Sequence, residues 1–256
     1  MKQLNWCWRL LVTALSIVLF ALGALLLGGF LAALMHLLPW SESRRRRLAR
    51  RSIQRCAQFF VWLIGRLGLL TVQFEGVDAL RQPGVLVVAN HPTLLDALLL
   101  MAVMPNVTFI AKAAMARNPF TCWIVAAAGY IPNDEVGVAL VEKAATALQS
   151  GETLMIFPEG TRTDGDQLQL KRGAANIALA AKCPMLPVVI DCQPMTLRKQ
   201  EPWYRIPERA PHFVVRVLPL MPVASMIDAN QPPGLQARAL TKALHEELTR
   251  ELQKLH

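Results

Sequence analysis

The sequence predicts an α/β fold, a mixed sheet flanked by helices, preceded by a helical segment embedded in a membrane. From Thr71 onward, short apolar runs of strand length alternate with helical stretches, which is typical of a sheet covered by helices on its faces. Before Thr71, a long apolar run and an arginine cluster set the N-terminal part apart. We therefore divide the 256 residues into a membrane-associated segment, 1–72, and a globular domain, 73–256.

The N-terminal run contains no Asp, Glu, Lys or Arg between Leu10 and Ser41. As a helix that rises about 1.5 Å per residue, it would reach roughly 45 Å, more than the roughly 30 Å hydrocarbon core of a bilayer. It is also longer than the apolar part of a signal peptide, and no small-residue cleavage site precedes the polar segment. We expect either one long tilted span or two short helices broken near Gly28-Gly29.

A basic cluster follows this run directly. Seven arginines and one acid, Glu42, lie between Ser41 and Arg55 and carry +6 of the formal net charge of +9. Because the charge is concentrated beside an apolar segment, it indicates a cytoplasmic flank that contacts anionic membrane lipids and argues against a nucleic-acid partner. We expect the protein in the inner (cytoplasmic) membrane, with the globular domain facing the cytoplasm. Lys2 and Arg9, on the other side of the apolar run, weaken the evidence for this orientation without reversing it.

The stretch Cys56–Val72 is apolar but is interrupted by Arg66 and two glycines. Such a composition predicts an interfacial helix that lies on the membrane.

Strands and helices alternate through the globular domain. The predicted strands are Thr71–Glu75, Val85–Ala89, Val107–Ala111, Thr153–Phe157, Leu186–Asp191 and Phe213–Leu218. The predicted helices are Leu95–Met104, Phe120–Ala128, Val136–Gln149, Ala174–Lys182 and a last one with an apolar stripe at Leu240, Leu244, Leu248, Leu252 and Leu255. The stripe predicts a helix that packs on the sheet.

The first motif, Asn90-His91-Pro92-Thr93-Leu94-Leu95-Asp96, follows the strand Val85–Ala89. Pro92 is predicted to start the next helix, because its missing N–H would be unpaired in a first turn. One turn of chain would bring the Asp96 carboxylate back against the His91 ring, where it would fix the tautomer and stabilise the imidazolium. A histidine held in this way can take a proton from a hydroxyl. Taken alone, the spacing is more often a structural histidine beside a capping aspartate.

The second motif, Phe157-Pro158-Glu159-Gly160-Thr161-Arg162, ends another predicted strand. Glu159 is an acceptor for hydroxyl groups, and the guanidinium of Arg162 is a forked donor that suits phosphate. Taken alone, this motif is equally well explained as a surface turn with a local ion pair. The two motifs together are much more specific.

Together they resemble the glycerophosphate acyltransferase superfamily, most closely the 1-acylglycerol-3-phosphate (lysophosphatidic acid) acyltransferases. His91 and Asp96 match the first block of the family, and Phe157 through Arg162 match the third. The fourth block is matched by Leu186-Pro187-Val188-Val189.

The resemblance covers roughly Thr71 to Leu218, and the N-terminal membrane segment is also in character. Lys171-Arg172-Gly173 lies where the family has a basic pair before a glycine and a helix. The fold expected for residues 73–256 is therefore that of an acyltransferase domain.

The resemblance implies an O-acyltransferase that moves a fatty acyl group from acyl-CoA or acyl carrier protein to a lysolipid hydroxyl. The acceptor that it implies first is 1-acylglycerol 3-phosphate, which would give phosphatidic acid. His91 would act as general base with Asp96 holding it, and the hydroxyl oxygen would attack the thioester without an acyl-enzyme. The expected substrate-binding residues are Glu159, Gly160, Thr161, Arg162, Lys112 and Arg172.

Each of these residues has an implied role. Glu159 would position hydroxyls of the lysophospholipid acceptor, and Arg162 with Lys112 and Arg172 would bind its phosphate. Gly160 would allow close backbone approach. No metal or organic cofactor is expected beyond acyl-CoA or acyl carrier protein as co-substrate, and the five cysteines, without a C-x-x-C pair, indicate neither a zinc site nor a disulfide framework.

One block departs from the family pattern. The second block of the family has a glycine, any residue, an isoleucine and, a few residues later, an arginine. Here Gly129-Tyr130-Ile131 fits, but Glu135 stands at the arginine position beside Asp134. Two acids repel a phosphate, so either other basic residues suffice or the acceptor belongs to a specialised lipid pathway, such as a lyso-ornithine lipid.

Other classes of protein are less well supported. No G-x-S-x-G of a serine hydrolase, no P-loop and no G-x-G-x-x-G is present in the sequence. A non-enzymatic membrane-binding scaffold is the remaining alternative, and it predicts that His91→Ala leaves function intact.

Overall fold

The computed structural model describes residues 2–37, 39–133, 137–163, 167–228 and 230–255. Its strands are β1 (Thr71–Glu75), β2 (Leu86–Ala89), β3 (Val107–Ala111), β4 (Ile131–Pro132), β5 (Thr153–Ile156), β6 (Met185–Gln193) and β7 (His212–Val217). They form a seven-stranded sheet in the order β1-β7-β6-β2-β5-β3-β4. Among these strands β6 and β7 are antiparallel and the other neighbours are parallel. The sheet is therefore mixed, as predicted.

Helices cover both faces of the sheet. They are α1 (Lys2–Leu37), α2 (Glu42–Arg66), α3 (Asp96–Val103), α4 (Ala113–Arg117), α5 (Cys122–Ala128), α6 (Val138–Gln149), α7 (Gly173–Ala181), α8 (Val223–Met226) and α9 (Pro233–Gln253), with a short 3₁₀ helix at Val77–Arg81. Helices α2, α3 and α5 pack on one face, and α6, α7 and α9 pack on the other. The leucine stripe of α9 lies in the second core, as expected for a packing helix.

The central strand β2 shows why its sequence is uniformly apolar. Val87 and Ala89 point into the core under α2 and α3, whereas Leu86 and Val88 point into the core under α6 and α7. All four residues have no exposed surface. A strand covered on both faces needs apolar side chains at every position. Residue His91 thus leaves the sheet at its centre.

Helix α1 is continuous through Gly28 and Gly29, so of the two alternatives the single long helix is found and the pair of short helices is not. Gly28 instead provides a close approach, because a Cβ built on it would lie 3.5 Å from the Cβ of Trp123. Residues Asn5–Leu37 satisfy the length and composition of a membrane span. Both ends of α1 contact the domain: Arg9 donates to the Pro207 carbonyl at 2.8 Å, and the Met35 carbonyl accepts from Arg45 at 2.7 Å.

Helix α2 begins in the basic cluster and ends earlier than the predicted interfacial helix. It stops at Arg66, and after a turn at Gly68, where φ is +75°, the chain enters β1 at Thr71. Left-handed backbone of this kind favours glycine and ends the helix. Because Ile53 and Ile64 are buried in the sheet core, α2 is also a structural part of the globular domain.

The arginines of α2 divide into two groups. Arg44, Arg47, Arg51 and Arg55 are exposed and share one face of the helix, which agrees with a lipid-contacting flank. Arg50 is only 4% exposed and bonds inside the domain. The basic cluster is therefore not uniformly a lipid-facing surface.

Most predicted elements are found within two residues of their predicted bounds, and β1 and β3 have the predicted limits. The sequence did not predict β4, α4, α8 or the 3₁₀ helix, all of which are five residues or shorter. Elements this short carry too few residues for a periodic pattern.

Candidate active site

The candidate site lies at the carboxyl end of β2, between β5 and β6. Asn90 links β2 to β6: its side chain donates to the Ile190 carbonyl and accepts from the Ile190 N–H, both at 2.7 Å. These two bonds extend the hydrogen bonding between β2 and β6 by one residue beyond the end of β2. The chain then turns, and His91 is the first residue to leave the sheet.

The turn after His91 differs from the prediction. Pro92 does not start α3, which begins at Asp96. The chain between them is held by Asp96 itself, whose Oδ2 accepts from the Thr93 N–H at 2.7 Å and whose Oδ1 accepts from the Thr93 hydroxyl at 2.6 Å. A side-chain bond to the backbone competes with helix here, as aspartate and threonine commonly do at helix starts.

Asp96 also contacts the His91 ring. Its Oδ2 lies 2.7 Å from Nδ1, and the side chains are 0% and 16% exposed, respectively. Because the carboxylate accepts, we assign the proton to Nδ1, which leaves the Nε2 lone pair free. Nε2 has no hydrogen-bond partner among the described residues. A substrate hydroxyl can therefore reach it.

The ring is fixed from a second side by Phe157, which follows β5. The two rings are stacked, with centroids 4.1 Å apart and planes at 17°. Stacking restricts rotation of the imidazole about its own axis. The first and second motifs are therefore in direct contact.

Backbone and side-chain hydrogen bonds cross-link the motifs further. Glu159 Oε1 accepts from the His91 N–H at 2.8 Å and from the Thr163 hydroxyl at 3.0 Å. The Thr163 N–H donates to the His91 carbonyl at 2.7 Å. Glu159 is only 4% exposed and holds the backbone of His91. Its role in positioning acceptor hydroxyls stays a prediction.

The site contains two buried carboxyl groups. Burial raises the pKa of the Asp96 carboxyl, and the hydrogen bonds from His91 and Thr93 oppose part of this rise. Burial likewise raises the pKa of Glu159, against the bonds from the His91 N–H and Thr163. Both groups lie beside the same imidazole, which gains stabilisation from them when it takes a proton.

The remaining expected residues lie at the same edge of the sheet but have different surroundings. Gly160 adopts φ of +70°, and the atom closest to a Cβ built there is Lys171 Nζ at 3.0 Å. The exposed Lys171, rather than Arg172, therefore lies against this turn. Arg172 is exposed just before α7, and Thr161 is partly exposed.

Arg162 and Lys112 were expected to bind phosphate. Nη1 of Arg162 donates to the carbonyls of Leu197 and Arg198 at 2.8 and 2.9 Å, so this nitrogen holds a loop. Lys112 is exposed at the end of β3, which the sheet order places next to β5. It is thus two strands away from His91.

The second block is only partly described. Gly129 caps α5 with φ of +64°, and the buried Tyr130 ring packs edge-on against Phe109 with centroids 5.4 Å apart. Asp134 and Glu135 lie outside the described residues. Within the described ranges, no group of three or more side chains has the chemistry to hold a metal ion.

Several residues of the site were not given a role from the sequence: Asn90, Thr93, Phe157 as a stacking partner, and Thr163. Asn90 and Thr93 lie inside the first motif, so their polarity beside a buried strand was an available signal. The pairing of Thr163 with His91 joins residues 72 positions apart, and nothing local in the sequence indicates it.

Part of the chain is similar to known acyltransferases. Residues 71–191 match the family model described as Acyltransferase. Mouse 1-acyl-sn-glycerol-3-phosphate acyltransferase alpha is 36% identical over 146 residues, which cover 54% of this chain and 50% of that protein. The lyso-ornithine lipid O-acyltransferase of Pseudomonas aeruginosa is 36% identical over 137 residues, which cover 51% of this chain and 52% of that protein. The chain thus spans about half the length of these curated relatives.

A solved structure extends the likeness of fold to the whole chain. The 1-acyl-sn-glycerophosphate (LPA) acyltransferase PlsC from Thermotoga maritima superposes with a TM-score of 0.73 at 21% identity, covering 100% of this chain and 98% of that one. The chain therefore has the fold of that protein. Residues 71–191 resemble an acyltransferase domain, and the curated relatives include 1-acyl-sn-glycerol-3-phosphate acyltransferases.

Proposed function

We propose that this protein transfers an acyl group from a thioester donor to a hydroxyl of a lysolipid, with His91 as the general base. The observation that carries the proposal is the His91–Asp96 pair, whose Nε2 is open at the carboxyl edge of the sheet while Nδ1 is held at 2.7 Å. A general base must be within hydrogen-bond reach of the proton that it removes. The open Nε2 meets this requirement.

The reaction follows from the positions of these groups. Nε2 takes the proton of the acceptor hydroxyl as its oxygen attacks the thioester carbonyl carbon, and Asp96 stabilises the imidazolium that forms. The C–S bond then breaks, and the departing thiolate takes the proton from Nε2. The products are an ester and a free thiol, and His91 returns to its starting state. No covalent acyl-enzyme is needed.

We propose that basic side chains around the edge bind the acceptor head group. Lys112, Lys171 and Arg172 are exposed and lie on the loops that surround the two motifs. Arg162 contributes through the nitrogens that do not hold the Leu197 carbonyl. These groups support a phosphate-bearing acceptor, 1-acylglycerol 3-phosphate, with phosphatidic acid as product.

A second acceptor class has specific support. Glu135 occupies the position where the family has an arginine, and a relative at 36% identity is named a lyso-ornithine lipid O-acyltransferase. An acidic pair favours an acceptor that carries a positive charge over one that carries only phosphate. Lyso-ornithine lipid is therefore the alternative acceptor.

The membrane arrangement is part of the proposal. Arg9 and Met35 are about 39 Å apart along α1 at a rise of 1.5 Å per residue, yet Arg9 bonds to Pro207 of the globular domain and Met35 bonds to Arg45 of α2, the helix that packs on the sheet. A helix that crossed a bilayer would place one end on the far side, away from a cytoplasmic domain. We therefore propose that α1 lies within one leaflet of the cytoplasmic membrane, with its exposed apolar side chains in lipid.

The test is a thioester-release assay on detergent-solubilised protein, with lysophosphatidate and lyso-ornithine lipid as alternative acceptors and the acylated product identified by mass. We expect release to depend on an acceptor and to fall by about 10³-fold in His91→Ala. His212→Ala, which removes an exposed histidine at the start of β7, is the matched control and should keep the rate. Equal rates in His91→Ala and the wild type would refute the mechanism.

A further inference from the structure

A cleft of about 520 Å³ opens beside the His91 turn and has no role in the proton transfers described above. Thr163 lies at one end, and the segment Met195–Pro207, which we call the cleft loop, supplies the rest of the lining. This volume is within the range of roughly 300–1,000 Å³ that is usual for small-molecule sites. The cleft is large enough for an extended substituent of a substrate.

The inner end of the cleft is directly connected to the site. Thr163 donates its N–H to the His91 carbonyl at 2.7 Å and its hydroxyl to Glu159 at 3.0 Å. A ligand that fills the cleft therefore contacts the residue that holds His91. Pro207, whose carbonyl accepts from Arg9 of α1, also lines the cleft.

The cleft loop is held in place by two guanidinium groups. Arg162 donates to the Leu197 and Arg198 carbonyls near one end. Arg9, only 4% exposed, donates to Pro207 at 2.8 Å and to Arg209 at 3.2 Å, at and just beyond the other end. A wall fixed at both ends loses little conformational entropy when a ligand binds.

The side chains of the cleft loop give it a positive charge. Arg198, Lys199 and Arg205 line the cleft, and among its described lining residues the one acid is Glu201. Glu201 accepts from the Arg198 N–H at 2.9 Å and lies 3.9 Å from Nε of Arg205, which it orients. The Arg205 side chain is 77% exposed, so it can turn toward an incoming anion. The lining suits a phosphate group.

We infer that the cleft binds the phosphopantetheine arm of the acyl thioester donor, with the thioester at the Thr163 end and the phosphate among Lys199 and Arg205. The inference rests on the proposed acyl transfer. It concerns chemistry that acyl-CoA and acyl carrier protein share, since both attach the acyl group to a pantetheine that carries a phosphate. Polar side chains along the cleft provide partners for the two amides of the arm.

The geometry favours the donor over the acceptor as occupant. In 1-acylglycerol 3-phosphate the hydroxyl and the phosphate are on adjacent carbons, so its phosphate must bind close to Nε2. In the donor, the phosphate is separated from the thioester by the whole pantetheine. A cleft that begins at the His91 turn and carries its charge along an extended loop fits the longer separation.

The test compares two minimal donors that differ by one phosphate, S-acyl-4′-phosphopantetheine and S-acyl-pantetheine. Wild-type protein is expected to prefer the phosphorylated donor in kcat/KM. Lys199→Gln combined with Arg205→Gln should lower kcat/KM for this donor on the order of 10-fold, through KM. The same variant should leave kcat/KM for S-acyl-pantetheine and KM for the lysolipid unchanged. Arg205→Lys should retain most of the preference, and Arg238→Gln on α9 is the matched control.

Three outcomes overturn the inference: no preference for the phosphorylated donor in the wild type, an equal loss with both donors in the variant, or a loss confined to the KM of the lysolipid. The source of the phosphate is then separated with acyl-CoA and acyl carrier protein. If the double variant loses kcat/KM with each of these two donors that the wild type uses, the result supports binding of the phosphopantetheine arm that they share. A loss with acyl-CoA that is absent with acyl-4′-phosphopantetheine assigns the charges to the adenosine end and contradicts it. Failure of the proposed function is distinct, because the wild type would then release no thiol with any donor.

Discussion

The amino ends and the carboxyl ends of the strands, which we call the amino edge and the carboxyl edge of the sheet, both contain buried ionisable groups. The two edges differ in the partners of these groups. At the amino edge, Arg50 of α2 donates to Glu152 at 2.8 Å and to the Ala128 carbonyl at 2.8 Å. At the carboxyl edge, Asp96 and Glu159 are bonded to Thr93, His91 and Thr163, and none of their hydrogen-bond partners among the described residues is a lysine or an arginine. One edge holds an ion pair, and the other holds carboxyl groups beside an imidazole.

The pKa shifts follow this difference. At the amino edge burial opposes ionisation of Glu152, but the Thr108 hydroxyl and the Arg50 guanidinium keep its pKa below the ordinary value. At the carboxyl edge burial dominates, and the pKa values of Asp96 and Glu159 are raised. A compensated pair attaches α2 to the sheet, whereas buried carboxyl groups beside an imidazole with one open nitrogen are suited to proton transfer.

Apart from His91→Ala, the largest expected effect on the transfer rate is that of Asp96→Asn at the carboxyl edge. An asparagine can keep its oxygen toward His91 Nδ1 and its amide toward the Thr93 hydroxyl, so the tautomer is retained but the charge that stabilises the imidazolium is lost. We expect the transfer rate to fall by about 10²-fold, less than in His91→Ala, with little change in Tm. Steady-state thiol release beside a thermal melt checks this. A rate within tenfold of the wild type would show that Asp96 acts only in folding.

At the amino edge, we expect a substitution to lower stability rather than the transfer rate. Arg50→Met leaves the mostly buried Glu152 without its cation, and the free energy of unfolding should fall by about 3 kcal/mol. This value is the lower end of the range for broken buried pairs, because the Glu152 side chain is partly exposed. Adding Glu152→Gln should recover most of this loss. Chemical unfolding of the two single variants and the double variant gives the coupling energy. Additive losses in the double variant would contradict the ion-pair account.

Glu159→Gln is predicted to act through pH. Because burial raises its pKa, Glu159 contributes stability that is complete below roughly pH 4.3 and is lost as pH rises through the folded-state pKa. A glutamine Oε1 can accept the same two hydrogen bonds and has no ionisation cost. The Tm of the wild type relative to Glu159→Gln should therefore decrease as pH rises, and the transfer rate should stay within about tenfold.

Glu75→Gln is the matched control for this pH dependence. The hydrogen bond from Arg216 lowers the pKa of Glu75, so its contribution to stability is present above the ordinary pKa and is lost as pH falls. The Tm of the wild type relative to this variant should thus rise with pH. If the Tm difference changed with pH in the same direction for both variants, the surroundings of each carboxyl group would not determine the direction of its pH dependence.

The smallest expected effect is that of Phe157→Leu, which removes the ring stacked 4.1 Å from His91 and keeps most of the apolar volume. Such ring pairs contribute about 1 kcal/mol beyond their burial, so the rate should fall by up to about tenfold. Phe157→Tyr keeps the ring and should retain the rate. Equal rates in the leucine and wild-type proteins would show that Asp96 alone orients the imidazole.

Much of the fold could be predicted because β2, β3 and β5 are short apolar runs in a sheet covered on both faces. The His91–Asp96 contact was also predictable, since the residues are five apart. The role of Arg162 in holding the Leu197 carbonyl was not, because it depends on a loop without periodicity. The burial of Arg50 was missed for a similar reason: the sequence shows a run of arginines, and only packing decides which one faces the sheet.

The most direct test of the account compares one variant from each edge, His91→Ala and Arg50→Met, by transfer rate and Tm on the same preparations. The account predicts that His91→Ala loses about 10³-fold in rate and keeps its Tm, whereas Arg50→Met loses Tm and keeps its rate at temperatures where it is folded. A His91→Ala protein that transfers acyl groups at the wild-type rate would contradict the central claim.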